Sequence, residues 1–262
     1  MFSEFTTVLW LLKLGALLNL YFLAQTFGLG SGNIDAHIVL PAQILFAVSA
    51  YRCLFPCRYQ DHIVFHDTPF SSIFVTRFLA TFAEVAYIYQ FSHVIRVLNV
   101  EHVGWVDALS WWMVVQVVIS QFFVWGAILT GRLALYFYEE VGWAIIFVAN
   151  TVTSAYLYRA GSTIYGGETL LQLNLAFGLV YLPWQFNHLR VLYLDAQANP
   201  EAAPPNAQDE SAGGFRDSIF VWNRRTDADS WGGLVGLTWM AAYWATLIPP
   251  WLYYIVTVLG ER

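Results

Sequence analysis

Charge is what this sequence lacks. Lys and Arg number 12 and Asp and Glu 18 among 262 residues, 11% of the chain, against about 25% in a soluble globular domain. Too few charges remain to coat a water-soluble fold, and no basic patch exists for nucleic acid. Cysteine is almost missing as well. Cys53 and Cys57 are the only two, which excludes a disulfide framework. The N-terminal MFSEFTT has no basic stretch, and the apolar run after it contains Lys13, Asn19 and Gln25. That pattern reads as a retained first helix, not a secretory leader.

Apolar and aromatic residues are what the chain has in abundance, 58% hydrophobic with 12 Trp, 15 Tyr and 20 Phe. At about 20 apolar residues per crossing, the sequence predicts seven spans, at 6–29, 37–55, 72–98, 107–130, 133–157, 169–194 and 231–259. The expected fold class is all-α. A single transmembrane domain covers residues 1–262, a polytopic bundle of seven helices with the third in its middle. The hydrophilic piece at 195–230 reads as a cytoplasmic-side loop within it, with a short ordered part at 215–225.

Basic residues orient the bundle. Lys13, Arg52, Arg58, Arg77, Arg132, Arg190, Arg216, Arg224 and Arg225 fall on one side, against Arg96, Arg159 and Arg262 on the other. The positive-inside rule places the N-terminus in the cytoplasm and the C-terminus outside. An internal likeness accompanies this. Tyr89-Gln90-Phe91-Ser92-His93 is matched 95 residues later by Trp184-Gln185-Phe186-Asn187-His188, an offset that also carries the first span onto the fourth and the second onto the fifth. A weak three-plus-three inverted repeat followed by a seventh helix has this form.

The chemistry is expected at acids inside the membrane. Arg77 precedes Glu84 by seven residues, and Arg132 precedes Glu139 by seven, so each pair shares a helix face two turns apart. Glu140 doubles the second acid. Carboxylates in a low-dielectric interior supply a general acid, a proton relay or a cation site, and the plain alternative is an ion-pair network that holds helices together. Gln121, Trp125, Trp143 and Tyr87 are the expected substrate-binding side chains. A metal is weakly indicated: Cys53 and Cys57 are followed by His62 and His66, but four residues between Cys57 and His62 leave little chain to wrap a tetrahedral ion. Asp67-Thr68-Pro69 reads as the cap leading into the third helix. Pro183 and Pro249-Pro250 interrupt two spans.

The acidic pair in Tyr138-Glu139-Glu140-Val141 resembles the Pro-x-Glu-Glu of membrane lycopene cyclases, without its proline and over a few residues only. No family is assigned on it. The reading is a membrane-embedded enzyme that performs acid–base chemistry on a lipophilic, lipid or isoprenoid-like substrate. Glu84, Glu139 and Glu140 act, and Arg77 and Arg132 tune them. The alternatives are a small proton- or cation-coupled transporter or channel, and a structural subunit of a membrane complex. Expected partners are the bilayer and a lipophilic small molecule, with no nucleic acid; the sequence names no cofactor.

Overall fold

The computed structural model describes residues 4–29, 34–161, 163–198 and 207–260. It is all-α, 83% helical. In a bilayer every backbone N–H and C=O must be satisfied within its own segment, and long apolar runs meet that demand as helices. The helices are α1 (Glu4–Phe27), α2 (Ala36–Leu54), α3 (Ile73–Leu98), α4 (Gly104–Thr130), α5 (Leu133–Ala160), α6 (Gly167–Ala198), α7 (Ala207–Phe220), α8 (Gly233–Ala241) and α9 (Ile248–Leu259). Five segments are long and apolar enough to cross a membrane: Phe5–Phe27, Ala36–Leu54, Gly104–Thr130, Leu133–Ala160 and the broken Gly233–Leu259. By length and composition this is a multi-pass membrane protein. α3 and α6, expected as spans, have 26 and 32 residues but are more polar.

The described residues fall into two compact units. The first runs to Tyr87 and resumes at Phe215; the second holds Ile88 to Gly214. In the first unit, α1, α2, α8 and α9 pack together. Pro249 and Pro250 cannot donate to the preceding turn, so the last span breaks into α8, a π turn at Ala242–Thr246, and α9. At the break, the Trp244 carbonyl accepts from Asn19 Nδ2 of α1 at 2.9 Å and from the Cys53 thiol of α2 at 3.3 Å. Gly15 of α1 lets the chains approach here, because a Cβ on it would lie 2.3 Å from Ala245 Cβ.

A small platform belongs to the same unit. β1 (Cys57–Arg58) pairs antiparallel with β2 (Ile63–Val64), and β2 pairs parallel with β3 (Asn223–Arg224). Asp61 and His62 make the turn at φ 57° and 51°, a left-handed region that Asp and His tolerate better than most residues. Trp222 Nε1 donates to Asp67, and Arg58 donates to the Ser230 carbonyl at 2.9 Å. Asp67 is therefore engaged with Trp222, and the first turn of α3 is met by Ser72, whose Oγ accepts from Val75 N at 3.3 Å. The stretch expected as a loop with a short ordered part carries all of α7, β3 and a short helix at Asp229–Trp231.

In the second unit, α4 and α5 are joined by Gly131 and Arg132, with Gly131 left-handed at φ 68°. So short a connection makes them antiparallel neighbours, and they pack along their length. Gly142 of α5 sits where a Cβ would come 2.0 Å from Ser120 Oγ of α4, and Gly178 of α6 where one would come 2.2 Å from Thr151 Oγ1 of α5. Small residues at such crossings let helix backbones approach closely. Asn174 Nδ2 donates to Ser154 Oγ at 3.0 Å between α5 and α6.

Candidate functional site

Two polar constellations stand out, one in each unit. In the first, Arg77 and Glu84 lie two turns apart on α3, and the guanidinium reaches its own helix's acid as a two-pronged pair, Nη1 to Oε1 at 3.0 Å and Nη2 to Oε2 at 2.7 Å. Their side chains are 2% and 8% exposed. Thr81, on the same stripe, donates to the Arg77 carbonyl at 3.0 Å. Next to the pair comes Tyr59 of the platform, with the Arg77 and Arg52 guanidinium carbons 5.5 and 5.1 Å from its ring centre. Arg52, in the last turn of α2, also lies 5.0 Å from the Trp244 ring, and its Nη1 donates to Cys57 Sγ at 2.7 Å. Tyr87 and Tyr243 meet edge to face at 5.9 Å in this unit. Burial pushes the Tyr59 phenol up to about 12 against the pull of the two guanidiniums, so it stays a protonated donor at neutral pH.

The second constellation joins α5 to α6. Gln185 Nε2 donates to the backbone carbonyl of Glu140 and to its Oε2, both at 2.8 Å. His188, one turn further along α6, brings Nε2 to 4.0 Å from Glu140 Oε1, with side chains 34% and 26% exposed. Trp184 stacks on the His188 ring at 5.0 Å and 16°. Behind it runs a chain of rings, Trp184 to Tyr181 at 5.8 Å, Tyr181 to Phe147 at 4.7 Å and to Phe177 at 5.0 Å, and Phe147 to Trp143 at 6.3 Å. A carboxylate oriented by an amide thus faces an imidazole at the end of an aromatic wall.

The expected site residues divide between these places. Glu84, Arg77 and Tyr87 belong to the first unit; Glu139, Glu140, Arg132, Gln121, Trp125 and Trp143 belong to the second. Arg132 does not pair with Glu139. It is the exposed N-cap of α5, outside the helical register that its spacing assumed, while Glu139 is buried. Glu140, expected as buried, is partly open. Gln121 is buried, with Nε2 donating to the Val117 carbonyl at 3.3 Å, and Trp143 is buried against Phe147. Among the described residues no three His, Cys, Asp or Glu side chains gather as a metal site. Cys57 faces Arg52 and Thr76, and His66 lies edge-on to Phe65 at 4.7 Å.

Arg52 and Tyr59 were legible only as a charge on a helix end and a loop aromatic. The Gln-x-x-His spacing at Gln185 and His188 was visible as half of a repeat, and one helical turn of separation was the signal that both could address one neighbour. Fold and constellations together define the class: a helical multi-pass membrane protein with charged clusters in its interior. Comparison with family models, curated proteins and solved structures finds no match.

Proposed function

We propose that this protein is a membrane-embedded enzyme performing acid–base chemistry on a lipophilic substrate, with Glu140 and His188 as the working pair. The observation that carries the reading is the Glu140–Gln185–His188 geometry at the end of the ring chain from Trp143 to Trp184. Both side chains are partly exposed, 26% for Glu140 and 34% for His188, and a carboxyl facing an imidazole is a pairing that general acid–base catalysis uses. Gln185 fixes the carboxylate, and the rings offer an apolar surface to a hydrocarbon substrate. Glu84 has a different part: its two oxygens are engaged by Arg77, which suits a structural pair. In the test, purified protein is reconstituted with a total lipid extract and the extract is followed by mass spectrometry. Conversion of a lipid-soluble compound by the parent and not by Glu140→Gln supports the reading; no conversion by either counts against it.

A proton- or cation-coupled transporter is the second reading, favoured by the broken last span with its π turn, a feature of helices that line transport paths. Uptake into proteoliposomes without chemical change would select it.

In this reading α3 and α6 also cross the bilayer, giving seven spans with the N-terminus cytoplasmic. α6 supports it by exposing Leu173, Leu179, Val180 and Phe186, an apolar face suited to lipid. The repeat is supported by local geometry: Tyr89 stacks on His93 at 10° as Trp184 does on His188 at 16°, and Gln90 and Gln185 are both buried. A reporter inserted between α7 and α8 is expected in the cytoplasm, and one at the C-terminus, beyond the described residues, outside. Both on one side would refute the seven-span count.

A further inference from the structure

We infer that Arg52 and Tyr59 form a binding site for an oxyanion, a phosphate or carboxylate, presented at the end of α2 under the platform. This site belongs to the first unit and does not depend on the chemistry of Glu140.

Charge balance comes first. Arg52 is 5% exposed. Its protein neighbours are the sulfur and carbonyl of Cys57 and the faces of Tyr59 and Trp244, with no carboxylate among the described residues at ion-pair distance. The adjacent cation, Arg77, already holds both oxygens of Glu84. Arg52 is thus a buried guanidinium without a carboxylate of its own among the described residues. A buried charge in low dielectric is costly without a counter-charge. Aromatic faces soften that cost but do not cancel it.

Hydrogen bonding then points to where the counter-charge sits. Arg52 Nη1 is satisfied by Cys57 Sγ at 2.7 Å. On the other edge of the guanidinium, Nη2 makes only a 3.4 Å contact to the Cys57 carbonyl, and Nε has no protein partner. The Nε–Nη2 edge is the fork that grips a carboxylate or phosphate with two parallel bonds. The Tyr59 hydroxyl, whose ring lies against the same guanidinium, is also buried without a protein partner. Burial raises the Tyr59 phenol further above neutral, so it offers a donor and not a competing negative charge. Two buried donors of one cluster, both unsatisfied, are what an oxyanion would complete.

Depth narrows the source. Arg52 is in the last turn of α2 and Arg77 in the second turn of α3, so both lie near the ends of their helices, beside the connection that carries β1 and β2. That is where the headgroup of an amphiphile meets a membrane protein, and a free anion reaches the same level from water.

The test uses the full-length protein. Thermal unfolding is measured in detergent with added inorganic phosphate, and in nanodiscs of phosphatidylcholine with and without phosphatidic acid or oleate. The parent is expected to be stabilised by an oxyanion. Tyr59→Phe, which keeps the ring and removes the hydroxyl, should bind it about tenfold more weakly or worse, the usual loss for a hydrogen bond to a charged group. Arg52→Gln should lose the response altogether. Stabilisation by phosphate and amphiphile alike identifies a site for the anion itself, and stabilisation by the amphiphile alone a headgroup site; both support the inference. A parent that responds to none of them overturns it, as does a Tyr59→Phe protein that responds as the parent does. Because Tyr59→Phe leaves the charge and the ring in place, it remains decisive if Arg52→Gln fails to fold.

Discussion

Replacing Glu84 by Gln removes one charge from a buried two-pronged ion pair. The amide keeps the shape of the carboxylate, but only one of its two terminal atoms can accept from Arg77, where two bonds of 3.0 and 2.7 Å now stand. Arg77, at 2% side-chain exposure, would lose the carboxylate that now grips both of its terminal nitrogens. Breaking a buried pair from one side costs about 3–5 kcal/mol, because the stranded charge cannot be re-solvated. Replacing both partners is different. Arg77→Met together with Glu84→Met removes the desolvation of both ions, and such exchanges run from neutral to a gain of about 1–4 kcal/mol. Loss of the Arg77 contact with the Tyr59 ring, about 0.5–2 kcal/mol, works against that gain. The expected order of stability is therefore parent close to the double variant, with Glu84→Gln well below both. Unfolding of the three proteins in the same nanodiscs, followed by tryptophan fluorescence, measures it. A Glu84→Gln protein as stable as the parent, or a double variant as weak as the single one, would mean that the pair does not hold the fold in this way.

Other outcomes follow from the same structure. Gly15→Ala places a Cβ 2.3 Å from Ala245 Cβ; overpacking of this kind costs about 1–3 kcal/mol, more than the helix propensity gained, about 1 kcal/mol. Adding Ala245→Gly should restore the unfolding midpoint, and failure to do so would place the strain elsewhere. At the platform, burial first, then Lys13 and Arg224, lower the His66 pKa. The unfolded chain then takes up a proton at His66 before the folded one does, so its contribution is complete above the unfolded value of about 6.5 and fades as pH falls below it. The parent's midpoint should drop between about pH 7 and pH 5 by an increment that His66→Asn lacks. Identical pH profiles for the two would contradict this.

How far the sequence could be read depends on the range of each interaction. The Arg77–Glu84 pair was legible because seven residues are two helical turns, and both partners ride on one helix. The antiparallel α4 and α5 were legible because Gly131 and Arg132 allow no other path. Arg132 falls outside that rule: seven residues before Glu139 counts as the same face only inside a helix, and the helix begins after it. Residues that meet through chain reversal were not readable. Arg52 meets Tyr59 because the stretch after α2 folds back as β1 and β2. Trp244 meets Asn19 and Cys53 because Pro249 and Pro250 break the last span at that level. Helix α7 escaped as well, since AQDESAGG is polar and carries two glycines. It packs through particulars, with Gly214 closed on the Leu129 backbone and Phe215 edge-on to Phe74 at 5.3 Å.

The proposed division of labour between acids has Glu140 acting and Glu84 holding the fold. It is tested most directly by measuring turnover of the lipid-soluble substrate per folded molecule in Glu140→Gln and Glu84→Gln, side by side with the parent. Glu140→Gln should fold as the parent does and lose turnover, by about 100-fold or more as expected for a lost acid–base group. Glu84→Gln should unfold more readily but turn over normally while folded. Turnover abolished in folded Glu84→Gln and retained in Glu140→Gln would contradict this division.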